Sequence, residues 1–235
     1  MKIDIVGNMC TWTKENSTSF ILNNELLFDV PEGSFKTILN DYGLEKVKYI
    51  ILSHFHSDHY IDVHIVLDYI FNNYPDRKLT VIAPKGCYER LTTLFSLVEI
   101  THLQKHLDSR VSFIDLEDGK EIKLGQYKIK AYRVNHADVE AYGFIIKHGK
   151  TKVGFSGDTA MCDNLKKILK AVPNCFVDTA GVQITNKHLS VQEVVELQKE
   201  YTKCKLHMIH LSYHSKKLID ELSLEYPQQG DVIDC

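Results

Sequence analysis

The sequence predicts an α+β fold in which two sheets pack face to face with helices outside, an αββα sandwich. Three observations lead there. Strand-like and helix-like segments recur in both halves of the 235 residues, no Pro/Gly/Ser-rich linker or low-complexity tract divides the halves, and a 44% hydrophobic composition can fill a substantial core. Residues 1–235 are therefore read as one domain.

Each element has its own signal. KIDIVG (2–7) alternates as a strand does, and TSFILN and ELLFDV flank Asn23-Asn24, which reads as a hairpin turn. A helix is expected at 34–41. VKYIIL (47–52) is continuous, apolar and β-branched, as in a strand covered on both faces, and it runs directly into SHFHSDH. Ile61, Ile65, Val66, Tyr69 and Ile70 recur at helical spacing over 60–72, so a histidine cluster falls where a buried strand hands over to a helix. LTVIAP (79–84) reads as a strand and 85–98 as a helix. VSFIDL, EIKL, YKIKAYRV, YGFIIKHG and TKVGFSGD then form a strand-rich stretch with a hairpin at 148–151. Helices are expected at 163–171 and 190–202, strands at 175–178 and 205–210, and a short helix near 215–222.

Composition narrows the function. A formal net charge of −3 and a pI near 6.4 give no basic field of the kind nucleic-acid binders carry, which argues against a large RNA partner. The first residues, MKIDIVGN, contain neither the apolar run of a signal peptide nor the ~20 residues of a membrane span. Six cysteines without a C-x-x-C pair suit reduced thiols. Together these imply a cytoplasmic protein with no membrane association. Twelve histidines exceed what packing requires, and their positions carry the chemistry.

In His54-Phe55-His56-Ser57-Asp58-His59, the histidines at i and i+2 share one side of an extended strand end, and Asp58 and His59 follow where the chain turns into a helix. Imidazole and carboxylate suit zinc and other borderline divalent ions. A chance run of histidines in a polar loop is the bland alternative, but H-x-H-x-D-H after a buried strand is specific.

The motif resembles the signature of the metallo-β-lactamase superfamily, and the likeness spans nearly the whole chain. The resemblance implies that His54, His56 and His136 (in RVNHA) hold one metal, and that Asp58, His59 and His210 (in MIHLS) hold a second. Asp158 in FSGDT would bridge both. Asp29, in LLFDVPEG, resembles the family's early aspartate, which orients a ligand rather than binding metal. Two ions roughly 3.5 to 4 Å apart would lower the pKa of a shared water and clamp attacking and leaving oxygens, which implies a hydrolase. Zn2+ is the default, two per chain, with Mn2+ also accommodated by an N/O site. Asp58 would hold or take a proton from that water.

Within the superfamily the likeness is to the ribonuclease Z group of phosphodiesterases. TKENSTSFIL resembles their T-K-x-x-x-x-S-S segment, DVPEG their D-x-x-E-G, KHLSVQEVVEL their H-S-T-x-x-E-A, and HLSYHS their H-F-S-x-R-Y. The match places His188 where that group has a histidine that protonates the leaving oxygen. Read alone, His188 simply precedes Ser190, a helix N-cap candidate. Asp178 is a candidate orienter of His188 or of a ligand.

Two departures bear on substrate: NMCTW replaces the group's glycine-rich opening loop, and the terminal R-Y is missing. No basic insertion corresponds to the arm with which ribonuclease Z enzymes grip tRNA. A small phosphodiester fits better, with bacterial and phage enzymes that hydrolyse cyclic nucleotides, including those that counter cyclic-pyrimidine immune signalling, as the model. A tRNA 3′-processing endonuclease is the alternative, and a thioesterase or lactonase on the same metals another. A β-lactamase would carry an export signal, a hydroxyacylglutathione-type glyoxalase a helical C-terminal domain, and a non-catalytic binding protein a depleted ligand set. His102 and His106 lack a third ligand and read as a solvated helix face; His64, His148, His207 and His214 match no motif. Stacking on a substrate base would need an aromatic near the metals; Trp12, the only tryptophan, sits in the opening loop, where it either lines the pocket or anchors the loop, and the anchor reading is preferred. A homodimer is expected by analogy with such hydrolases.

Overall fold

The computed structural model describes residues 1–235. β1 (Lys2–Gly7), β2 (Ser19–Leu22) and β3 (Leu26–Phe28) form an antiparallel meander. Asn23 and Asn24 make the β2–β3 turn with φ of 49° and 60°, the left-handed region that asparagine tolerates. α1 (Ser34–Thr37) continues as a π-helical turn through Tyr42 and stops at Gly43, with φ of 77°. β4 (Tyr49–Ile51) then pairs in parallel with β3.

The helix expected over 60–72 begins earlier and breaks. α2 (Ser57–Tyr60) takes Asp58 and His59 into a separate turn, and α3 (Val63–Asn73) starts after Asp62. Tertiary bonds explain the break: the Asp62 N–H donates to the Val30 carbonyl (3.0 Å), and the Asp62 carboxylate accepts the Phe35 N–H (3.2 Å). β5 (Leu79–Ala83), α4 (Cys87–Leu97), α5 (Gln104–Arg110) and β6 (Val111–Asp115) complete this half. The helix face read at His102 and His106 is present as a tight turn, Thr101–Leu103, that runs into α5, in which only Leu107 is buried.

The second sheet follows. β7 (Glu121–Leu124), β8 (Tyr127–His136), β9 (Val139–His148) and β10 (Thr151–Phe155) are antiparallel, with β9 and β10 turning at Gly149 as expected. After α6 (Asp163–Ala171), β11 (Asn174–Asp178), α7 (Val191–Glu200) and β12 (Lys205–Ile209) extend it in parallel. α7 opens with a capping box in which Ser190 and Glu193 satisfy each other's backbone N–H. α8 (Tyr213–Glu221) precedes β13 (Val232–Asp234), which returns to pair with β1. The sheets therefore run β13-β1-β2-β3-β4-β5-β6 and β12-β11-β10-β9-β8-β7.

The sheets meet through aromatic side chains. Phe28 stacks on Phe155 at 4.7 Å between ring centroids, and Phe155 on Phe176 at 5.1 Å. Phe20 and Phe144 close the same layer, and burying each ring contributes about 2 to 3 kcal/mol. Apolar faces of α3 and α4 cover the outside of the first sheet, and those of α6 and α7 the second, giving the αββα sandwich. Because β10, β11 and β12 are parallel and β8 is antiparallel to β9, the carboxyl ends of β8, β10, β11 and β12 share one edge. The loop after β4 joins that edge where the Tyr142 N–H donates to the Ser53 carbonyl (3.1 Å).

Candidate metal centre

Every one of these strand ends delivers a titratable side chain to the edge. His54 and His56 follow β4, Asp58 and His59 sit in α2, and His136 ends β8. Asp158 follows β10, Asp178 ends β11 and His210 follows β12. Donor atoms of His54, His56, His136 and Asp158 lie within 4.8 Å of one another, as do those of Asp58, His59 and His210. Asp158 Oδ2 occupies the middle: it is 3.3 Å from His59 Nε2, 3.5 Å from His210 Nε2, and 3.8 Å from both His54 Nε2 and His136 Nε2. All seven residues named from the sequence are thus brought together, in the two groups expected.

Ring orientation is set from behind. His59 Nδ1–H donates to Asp29 Oδ2 (2.8 Å), and Asp29 also accepts the Ser53 N–H and Ser53 hydroxyl at 2.7 Å each. His54 Nδ1–H donates to Ser53 Oγ (3.0 Å), and His136 Nδ1–H donates to the Lys187 carbonyl (2.9 Å). Asp29 therefore stands outside the donor groups and holds a ligand-type ring. Ser53, not singled out from the sequence, aligns both Asp29 and His54; its place directly before the H-x-H motif was the available signal.

These donor bonds leave lone pairs facing inward. His59 Nε2 points at Asp158 Oδ2 and at His210 Nε2, both 3.3 Å away, and His54 Nε2 is buried with no hydrogen-bond partner. Lone pairs crowded against a carboxylate in a buried site repel unless a cation lies among them, so the donor set fits divalent metal. Electrostatics divide the rings into two sets, one kept neutral and one whose Nε2 attracts a proton that a cation would replace. Burial pushes His54 well below the usual imidazole range and lowers His56 and His136, so these three are neutral donors. Burial would also lower His59 and His210, but Asp158, with Asp29 beside His59 and with Asp178 and Asp58 beside His210, raises both. Against its own desolvation, Asp158 is held well below the usual carboxylate range by His210 and His59. The centre attracts positive charge.

Two buried ligand-side residues also hold strained backbone. Asp29 and His210 have φ of 52° and 57°, a region that costs a non-glycine residue about 1 kcal/mol or more and that clusters at functional sites. Asp178 ties the rear together: it accepts His188 Nδ1–H at 2.9 Å, Thr159 N–H at 2.9 Å and Ala180 N–H at 3.0 Å, while His210 Nδ1 lies 3.5 Å from it. These bonds, with His210, hold Asp178 ionised against its burial, and Asp178 in turn raises His188. His188 also falls in a third donor group with Asp158 and His210.

A cavity of about 750 Å³ opens over the cluster, lined by His56, Asp58, His188, Lys187, Trp12 and Tyr213 among others. Trp12 anchors nothing: it is 97% exposed, because the opening loop is tied down by Cys10 and Thr11 instead, through Cys10 N–H to the Leu211 carbonyl and Thr11 N–H to Asp58. Tyr213 and Lys187 had no sequence motif of their own; each adjoins a residue that did.

Residues 31–211 match the model of the beta-lactamase superfamily domain. The chain belongs to that family. It is one of metal-dependent hydrolases, and within it the sequence is similar to ribonuclease Z of Staphylococcus haemolyticus, 30% identical over 148 residues that make up 59% of this chain and 46% of that protein. Ribonuclease Z of Archaeoglobus fulgidus is 29% identical over 136 residues, 57% of this chain and 42% of the relative. The chain thus spans less than half the length of the curated relatives it matches. Among solved structures, the short form of human tRNase Z superposes with a TM-score of 0.77 at 17% identity over 100% of this chain and 99% of that one. A diphosphatase of the PhnP family superposes at 0.75 with 15% identity, over 100% of this chain and 97% of that one. At such identities these superfamily structures share the fold.

Proposed function

We propose that the chain is a two-metal phosphodiesterase acting on a small phosphodiester, a cyclic mononucleotide first among candidates. The observation that carries this reading is the His188–Asp178 pair, set beside Asp58 and Asp158 in one cavity with Lys187. His54, His56 and His136 would hold one divalent cation and Asp58, His59 and His210 a second, with Asp158 shared; Zn2+ is the first choice and Mn2+ an acceptable substitute. When bound, the ions supply an acidified water and neutralise phosphate charge.

The side chains do the proton work. Asp58, whose cluster-facing Oδ2 accepts the Thr11 N–H, takes the proton that water loses as its oxygen bonds to phosphorus. Asp178 fixes the His188 ring through Nδ1, so Nε2 is the atom that delivers a proton to the leaving oxygen as the P–O bond breaks. Lys187 offers the substrate anion a positive charge at the cavity wall. The products are a phosphomonoester and an alcohol, which in a cyclic nucleotide remain one molecule.

Similarity to ribonuclease Z favours a second reading, tRNA 3′-end processing. Against it stand the net charge of −3 and the absence of a basic arm, since phosphate contacts dominate nucleic-acid affinity. No helix is long and apolar enough to cross a membrane, and all six cysteines are unpaired, which supports a cytoplasmic setting. In this reading the protein acts as a homodimer. The deciding assay compares cyclic mononucleotides and bis(p-nitrophenyl) phosphate with a precursor tRNA, using metal-loaded protein and the His56→Ala and His188→Ala variants. Turnover of the small substrates, lost in both variants and absent on tRNA, is expected; efficient tRNA cleavage would install the second reading.

A further inference from the structure

The mouth of the cavity carries two aromatic rings for which the donor cluster has no use. Trp12 is 97% exposed and Tyr213 69% exposed, the former with a φ of 66° that a bulky residue rarely adopts. Leaving an indole in water on strained backbone is unfavourable twice over, and nothing within the fold relieves either cost. Their placement is built rather than incidental. A parallel bridge pairs Met9 with Leu211, and the Cys10 N–H donates to the Leu211 carbonyl (3.0 Å), so the segment leading to Trp12 runs beside the segment leading to Tyr213. Ser212 caps α8 directly after that bridge, fixing where Tyr213 begins. Both rings line the cavity that also contains Asp58, Asp158 and His210.

We propose that Trp12 and Tyr213 form a base-binding subsite, stacking on the heteroaromatic ring of a nucleotide whose phosphate lies over the histidine–aspartate cluster. The inference rests on the phosphodiesterase reading and names the part of the substrate that reading leaves open. A cavity of about 750 Å³ is in the range of small-molecule sites, large enough for one nucleotide. Apart from the small side chains of Cys10 and Ala180 the other walls are polar or charged, so the two rings are the aromatic platform a flat base would seek. Stacking of this kind is tolerant of base identity, since every base presents a π-face.

Trp12 is the sole tryptophan, so its fluorescence reports on the subsite without turnover. The metal-loaded protein is titrated with AMP and CMP, and in parallel with ribose 5-phosphate and inorganic phosphate. Saturable change of emission with the two nucleotides alone is expected. Trp12→Ala, at a position too exposed to disturb folding, is expected to weaken AMP binding in calorimetry by roughly 5- to 150-fold. It should raise KM for a cyclic nucleotide with kcat little changed, the pattern of lost uniform binding. Trp12→Phe is expected to recover most of the loss. Nucleotides that bind without altering emission, equally tightly in Trp12→Ala, would overturn the subsite even if phosphodiesters are hydrolysed. Conversely, stacking signals without any phosphodiester turnover would remove the reading on which the subsite rests and leave only nucleotide binding. A blue shift that grows with protein concentration in the absence of nucleotide, together with a doubled mass, would overturn the proposal and assign Trp12 to a contact between copies of this chain.

Discussion

Replacing Asp29 by Asn should weaken metal binding without rearranging the loop. Asn is nearly the same size and tolerates the φ of 52° found there, so the backbone is not perturbed. What changes is the pattern of donors. Three donors converge on the buried carboxylate: Ser53 N–H at 2.7 Å, Ser53 hydroxyl at 2.7 Å and His59 Nδ1–H at 2.8 Å. An amide has one oxygen, so at least one donor must face an NH2 group. A charge-assisted bond is lost and a buried donor is left unpaired, which costs about 1.5 to 3 kcal/mol. If His59 is the residue that loses its partner, its ring can rotate or flip tautomer, and loss of such a supporting contact lowers metal affinity by roughly 10- to 100-fold. The assay is competition for Zn2+ against a chromophoric chelator, paired with urea unfolding of the chelator-treated protein. Ser53→Ala, which removes one donor to Asp29 and also the acceptor of the His54 Nδ1–H, should weaken Zn2+ binding as well, by loosening His54. An Asp29→Asn protein that binds Zn2+ within twofold of the unaltered chain would refute the reasoning that Asp29 positions His59.

Two further outcomes are expected. His188→Gln should retain two bound metals by elemental analysis while phosphodiester turnover falls by roughly 10²- to 10⁴-fold; loss of one metal would instead make His188 a ligand, as its grouping with Asp158 and His210 permits. His207 is stacked on Phe176 and bonded to Asn174, and burial lowers its pKa to about 4. Between pH 6.5 and 4 the unfolded chain therefore binds more protons than the native state, so stability present above 6.5 is lost as pH falls, by about 3 kcal/mol at most. In chelator, the unfolding free energy of His207→Gln should accordingly fall less than that of the unaltered chain between pH 7.5 and 4.5; parallel curves would refute the assignment.

Local signals carried much of the architecture. Two-residue periodicity, the continuous apolar run before SHFHSDH and the Ser190–Glu193 cap are written in neighbouring residues, and the strands and helices they imply are present. The misses share a cause. The break between α2 and α3 comes from bonds of Asp62 to Val30 and Phe35, more than 25 positions away, and α5 is a short, mostly polar helix with a single buried leucine. The break has no local signature, and at α5 only the i, i+4 spacing of His102 and His106 marks a helix, without fixing its bounds.

The site divides in the same way. His54 through His59 announce themselves because four donors within six residues have few uses besides metal. His136, Asp158 and His210 are ordinary in isolation, and only a resemblance selected them; what unites them is sheet register, since β10, β11 and β12 are parallel and β8, antiparallel to the intervening β9, runs the same way, so their carboxyl ends share one edge. Position within that edge also separates roles the sequence leaves open. Asp29 and Asp178 lie behind the rings and accept their outer N–H groups, because buried imidazoles need partners there before their other nitrogens can face a cation. For Trp12 the sequence leaves both an anchor and a pocket wall open; backbone bonds of Cys10 and Thr11 already hold the loop, and the indole is left free at the cavity mouth. Residue chemistry can be read along the chain; which side of a shared cavity a residue faces depends on strand register and long-range hydrogen bonds.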